Sequence, residues 1–140
     1  MSPVYSRFRP EDFLKISEEI DGALETRRLE LEDDVLNAWI RTGISRAYYA
    51  AFLFINYGLN FLYSGKDAHQ QLVTDLKSMG GIYREIGVRL ESLRSKRRSA
   101  DYEISYLVTP KDLKWVVSTA REAIKKGKTI LQKRRKPPYI

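Results

Sequence analysis

Residues 33–63 read DDVLNAWIRTGISRAYYAAFLFINYGLNFLY, and this stretch decides the fold. Its apolar residues recur every three or four positions. Leu36, Ile40, Ile44, Ala47, Ala51, Phe54 and Gly58 make one line, and Tyr48, Phe52, Ile55, Leu59 and Leu62 make a second. That period is helical. A helix apolar on two faces is central or lies at an interface. At 1.5 Å per residue, about thirty residues make a rod of about 45 Å, enough to span a small domain. Gly43 costs helix propensity in the middle of that rod, and a close helix crossing is one reason for it to stand there.

Shorter helical patterns flank the rod. Pro10 suits an opening turn, Glu11 and Asp12 suit the positive end of a helix dipole, and Phe13, Ile16, Ile20 and Leu24 form a stripe to about Thr26. The rod itself is read to about Tyr63, followed by the turn Ser64-Gly65-Lys66-Asp67. A third helix carries Leu72, Val73, Leu76 and Met79 and stops at Gly80-Gly81. A fourth, about residues 82–104, has Ile82, Ile86, Leu90 and Leu93 on one stripe. The fifth starts at Thr109 as N-cap, with Pro110 at its first position and Asp112 in its first turn, and runs through Leu131 towards Pro137-Pro138. No strand-like alternation of useful length occurs. The expectation is an all-α, up-and-down helical bundle of four to five helices. It comprises an N-terminal extension over residues 1–9, a helical domain over 10–132 and a basic tail over 133–140.

Composition removes much chemistry. At 140 residues, 43% apolar and 31% charged, the chain suits one globular domain. It has no cysteine and one histidine, His69, so thiol catalysis, disulfides and the usual Cys/His zinc sites are excluded. No phosphate-binding Gly-rich loop, dinucleotide fingerprint or nucleophile elbow is present. Nothing near the N-terminus resembles an export signal and the longest apolar stretch, residues 47–63, is interrupted by Asn56, Gly58 and Asn60. A cytoplasmic location without membrane contact is expected, and no cofactor or metal.

The net charge of +7 is unevenly spread. Residues 1–40 hold ten acidic and five basic side chains, residues 41–140 eight and twenty. Lys125, Lys126, Lys128, Lys133, Arg134, Arg135 and Lys136 form a basic end with no acidic residue among them. It reads as a solvated helix terminus that complements the dipole, with phosphate contact as the other reading.

Two arginines interrupt apolar lines. Arg46 falls among Trp39, Thr42, Tyr49 and Leu53, and Arg97 among Leu90, Leu93, Ala100 and Ile104. A guanidinium on such a seam needs carboxylates, carbonyls or a ligand, and Asp101 lies one turn beyond Arg97. Structural ion pairing and a phosphate or nucleotide pocket are the two readings. His69 opens the third helix as a surface or capping residue, or as an acid–base group near neutrality. The nine tyrosines suit core and interface positions, with stacking on bases as the second use.

Three segments together carry a resemblance. Ser45-Arg46-Ala47-Tyr48-Tyr49-Ala50-Ala51-Phe52, then His69 at the next helix start, then Arg97-Arg98-Ser99-Ala100-Asp101-Tyr102 resemble the HEPN domain. The likeness is to its small stand-alone prokaryotic branch with Ser-Arg-Ala-Tyr-Tyr-Ala and Arg-x-x-Ala-Asp-Tyr signatures, over roughly residues 10–132. The resemblance implies an all-α bundle, commonly a homodimer, that acts on RNA or binds nucleotides. It also implies a minimal nucleotidyltransferase as partner in a toxin–antitoxin-like pair. Nucleases of that family carry Arg, four to six residues, then His. The slots after Arg97 are Tyr102, Glu103 and Ile104, those after Arg98 are Glu103, Ile104 and Ser105, and none is histidine. The resemblance therefore implies RNA or nucleotide binding through Arg46, Tyr49, His69, Arg97, Arg98, Asp101 and Tyr102. No catalytic residue is assigned, and a divergent metal-independent ribonuclease is the alternative.

Overall fold

The computed structural model describes residues 9–25, 33–103 and 105–135. They form five helices: α1 (Glu11–Glu25), α2 (Asp33–Gly58), α3 (Ala68–Met79), α4 (Gly81–Tyr102) and α5 (Pro110–Arg135). Helices α1, α2, α4 and α5 close a ring in which each packs against the next, and α2 also meets α5 across the diagonal. Side-chain pairings give the directions. Phe13 and Ser17 of α1 meet Arg46 and Gly43 of α2, so these two helices are antiparallel. Arg41 and Tyr49 of α2 meet Ala100 and Arg97 of α4, and Glu85 and Lys96 of α4 meet Lys126 and Asp112 of α5, each pair again antiparallel. The four long helices therefore alternate, as an up-and-down all-α bundle does.

The two lines of α2 fill the core. Ile44, Ala47, Ala51 and Ile55 are fully buried and Tyr48 almost so, beside Leu113, Val116, Val117 and Ala120 of α5 and Leu90 and Leu93 of α4. Gly43 sits at a close crossing: a Cβ there would lie 2.7 Å from Leu113 Cδ1. The Ser17 hydroxyl donates to the Gly43 carbonyl at 2.6 Å on the α1 side of the same crossing. This shifts the buried line of α1 from the expected one. Leu14, Ser17 and Ile20 are buried while Ile16 is 42% exposed, because a small polar residue fits the tight approach and a larger apolar one does not.

Two local stops match the sequence reading. Gly80 and Gly81 take positive φ (72° and 55°) between α3 and α4, a region that glycine enters without a Cβ penalty. At α5, the Thr109 N–H donates to Asp112 Oδ2 (2.8 Å) and the Asp112 N–H to Thr109 Oγ1 (3.3 Å), a reciprocal capping box. The end of α2 differs. The helix stops at Gly58, not Tyr63, because the fully buried Asn56 takes over the backbone of the following loop. Its Nδ2 donates to the Tyr63 carbonyl (2.9 Å) and its Oδ1 accepts from the Tyr63 N–H (3.0 Å). Asn60 and Leu62 turn through positive φ inside that grip, and Leu62 lies exposed.

The returning loop has a consequence for α3. Its first turn comes back to the level of Tyr48 and Phe52, where His69 stacks, so α3 runs in the same direction as α2 and antiparallel to α4. The fifth helix extends through residues 133–135, part of the expected basic tail. Residues 1–8 and 136–140, and the reading of α1 to Thr26, lie outside the described residues. No helix among the described residues is long and apolar enough to cross a membrane.

Candidate functional site

Arg97 lies where α2, α3 and α4 meet. Its side chain is 14% exposed and its guanidinium carbon lies over three tyrosine rings, Tyr48 (5.8 Å), Tyr49 (5.0 Å) and Tyr102 (5.6 Å). Nη2 donates to Tyr49 Oη at 2.6 Å and reaches Tyr102 Oη at 3.5 Å. Nε is 3.0 Å from Asp101 Oδ2, an ion pair, but its N–H is not aimed at the oxygen, so this buried atom has no hydrogen bond. The Ser45 hydroxyl, from the start of the first signature, reaches the same carboxylate oxygen at 3.4 Å. Cation–π contact, one strong hydrogen bond and a carboxylate thus compensate most of the desolvation of this cation.

His69 completes the cluster from α3. Its ring stacks on Phe52 at 4.0 Å and on Tyr48 at 5.4 Å, and the Tyr48 hydroxyl bonds to its Nδ1. Burial, with Arg94 and Arg97 nearby, pushes the His69 pKa down to about 4. Burial also raises the Tyr48 phenol above the ordinary tyrosine range, although Arg94 and Arg97 act in the other direction. At neutral pH both groups are therefore uncharged, and the Tyr48 hydroxyl and Nδ1 of His69 share a hydrogen bond between neutral partners. The cluster offers a cation, neutral hydrogen-bond donors and aromatic faces.

Six of the seven candidates lie on or beside this corner. Tyr49, Asp101 and Tyr102 contact Arg97, His69 reaches the cluster through Tyr49, and Arg98 is the next residue along α4, exposed. Arg46 is the exception. Its guanidinium lies over the Phe13 ring of α1 at 5.2 Å, no contact joins it to Arg97, and it meets no carboxylate among the described residues. The seam on which it was placed is half open: Trp39 is 44% exposed and Thr42 is exposed as well. Arg46 is one residue from Ser45 and two from Tyr48, and on α2 those offsets turn it from the α4 side to the α1 side.

Two arginines of this region were not singled out by sequence. Arg94, one turn before Arg98, donates to Gln70 Oε1 at 3.3 Å and contributes to the field at His69. Arg41 spans from α2 to the end of α4. Nη1 donates to the carbonyls of Ala100 (2.6 Å), Glu103 (3.2 Å) and Ser99 (3.3 Å), Nη2 to that of Tyr106, and Nε to Asn37 Oδ1 (2.6 Å). It satisfies the terminal carbonyls of α4 and thereby fixes the turn that carries Asp101 and Tyr102. Its four-residue offset from Ser45 is the only signal in the sequence, and that is no more than a shared helix face.

Three of the seven cations of the basic end make contacts within the fold, while Lys125 and Lys133 are exposed. Lys126 pairs with Glu85, Lys128 with Glu11, and Arg134 donates to the Leu59 carbonyl and to Tyr83 Oη. No metal-binding group of His, Asp and Glu occurs among the described residues. The chain matches no protein-family model, no curated protein and no solved structure.

Proposed function

We propose that this chain is a HEPN-like binding module for RNA or nucleotide, a homodimer that acts with a minimal nucleotidyltransferase in a toxin–antitoxin-like pair. The observation that carries the reading is the convergence of the three segments bearing the signature at one corner: Tyr48, Tyr49, Asp101 and Tyr102 surround the Arg97 guanidinium, and His69 packs on the same Tyr48 and Tyr49 rings. A buried cation ringed by aromatic faces suits a phosphate with an attached base. Binding through phosphate releases counterions, so affinity for RNA is expected to fall steeply with salt and Arg97→Ala to weaken it at least tenfold. Fluorescence titration of full-length protein at several salt concentrations measures both. Absent or salt-independent binding by a folded protein overturns the RNA reading. An Arg97→Ala variant that melts at a lower temperature and binds as before makes the arginine a structural strut. Co-purification with the product of a neighbouring nucleotidyltransferase frame tests the pairing.

One observation favours the alternative, a divergent metal-independent ribonuclease. Although no histidine follows Arg97 at nuclease spacing, His69 shares the Tyr48 and Tyr49 rings with it. Cleavage needs a base for the 2′-hydroxyl and an acid for the leaving oxygen. A histidine with pKa about 4 is a weak base and is not protonated to act as acid near pH 7, which supports the binding reading. Incubation with RNA in chelator decides it: cleavage lost in both Arg97→Ala and His69→Ala establishes the ribonuclease, and no cleavage across varied RNAs dismisses it.

A further inference from the structure

The exposed side of α4 carries a groove that shares Tyr102 with the Arg97 cluster and otherwise lies outside it. Its volume is about 370 Å³, at the lower end of small-ligand cavities, about 300–1,000 Å³. Arg94, Arg98 and Tyr102 line it at successive turns of the helix, and the small side chains of Ser95 and Ser99 leave room between them. Two guanidiniums one turn apart repel each other unless something anionic joins them. Neither has a carboxylate: Arg94 donates to the neutral Gln70 amide, and Arg98 meets no ion-pair partner among the described residues. Carboxylates stand only at the two ends, Glu91 already bound to Lys77 at 2.6 Å and Glu103 just past the helix. The middle of the groove is thus a cationic seat bounded on both sides.

Tyr102 adds the second half of a recognition unit. It is 68% exposed, although one face of its ring meets the Arg97 guanidinium. An aromatic ring held on one side by a cation and open on the other is a stacking platform. We propose that this groove takes one phosphate–base unit of single-stranded RNA, with Arg94 and Arg98 on the phosphate and Tyr102 beneath the base. The inference rests on the RNA-binding reading above and gives it a polarity: the backbone runs along α4 and the base lies at its C-terminal end. A duplex, whose bases are stacked on each other, cannot present one to Tyr102.

The test is fluorescence anisotropy of full-length protein with labelled octauridylate, a labelled abasic octamer of equal charge, and inorganic phosphate as competitor. Arg98→Ala is expected to reduce the slope of log affinity against log salt by about 0.7, the value for one phosphate of a single strand. Tyr102→Ala is expected to weaken octauridylate roughly five- to hundredfold and to leave the abasic octamer unaffected, and Tyr102→Phe to restore most of the loss. Arg98 is exposed, so Arg98→Ala is expected to melt with the wild type; Tyr102→Ala removes one of three rings over Arg97 and is expected to melt slightly lower, with Tyr102→Phe close to the wild type. Unchanged octauridylate binding in Arg98→Ala and Tyr102→Ala, with loss in Arg97→Ala, overturns the groove and leaves the RNA reading standing. No octauridylate binding by the wild type overturns both. Displacement of the probe by inorganic phosphate, together with equal affinity for the abasic strand, assigns the groove to a free anion and overturns the RNA unit.

Discussion

His69 is held neutral by its surroundings, and that has a measurable effect on stability. In the unfolded chain an imidazole takes up a proton near pH 6.5. In the fold, burial and the charges of Arg94 and Arg97 delay protonation to about pH 4. Between these values the unfolded state binds more protons than the native state. The contribution of His69 is therefore complete above pH 6.5, is lost as pH falls from 6.5 towards 4, and changes no further below. The urea midpoint is expected to decline over that window and to decline less in His69→Gln; equal slopes for the two proteins would count against a buried neutral imidazole. Periodicity alone does not place His69 beside Arg97, 28 positions further on; in the sequence only the resemblance that carries both puts them in one site. The link is made by the loop that Asn56 holds, and that asparagine reads in the sequence only as an interruption of an apolar stretch.

Among the helices, what depends on neighbours in sequence was legible and what depends on neighbours in space was not. Thr109-Pro110 with Asp112 and the pair Gly80-Gly81 mark boundaries through bonds and dihedrals within a few residues, and both stand where expected. The buried line of α1 and the end of α2 were misplaced because Gly43 and Asn56 act across elements, on Ser17 and on the Tyr63 backbone. Arg41 is the clearest case. Its sequence context is unremarkable, yet its guanidinium collects four carbonyls around the end of α4. Arg41→Met keeps the apolar stem and removes every one of these bonds. Hydrogen bonds from a charged donor contribute about 1.5–3 kcal/mol each, and water can replace some of them at this half-exposed helix end, so a net loss of about 2–3 kcal/mol is expected in urea unfolding. RNA affinity is expected to fall with it, because Asp101 and Tyr102 lie on the released turn. A variant as stable as the wild type would show that solvent caps α4 equally well.

At the scale of the molecule, the uneven charge of the sequence takes on a different meaning. Glu11, Glu18 and Glu25 stand seven residues apart on α1 and pair with Lys128, Arg121 and Lys114, seven apart on α5, in antiparallel order. Three of the ten acidic residues of the first forty are therefore matched within the fold along the α1–α5 face, while Arg94, Arg97 and Arg98 belong to the α2–α3–α4 side. Counting charges along the chain could not separate cations used in the ladder from cations facing the groove, because the antiparallel pairing that sorts them exists only in three dimensions. The pairs are partly or largely exposed, so each is expected to contribute under about 1 kcal/mol. A double-mutant cycle with Glu18→Gln and Arg121→Gln is expected to give a favourable coupling within that limit that shrinks in 1 M salt, where screening acts over about 3 Å. Exchanging the charges, Glu18→Arg with Arg121→Glu, is expected to recover stability lost in either reversal alone. Octauridylate affinity is expected to stay at its wild-type value through the whole set, since the ladder lies between α1 and α5 and the proposed groove on α4. An affinity that followed the charge at position 121 would place RNA on α5 instead.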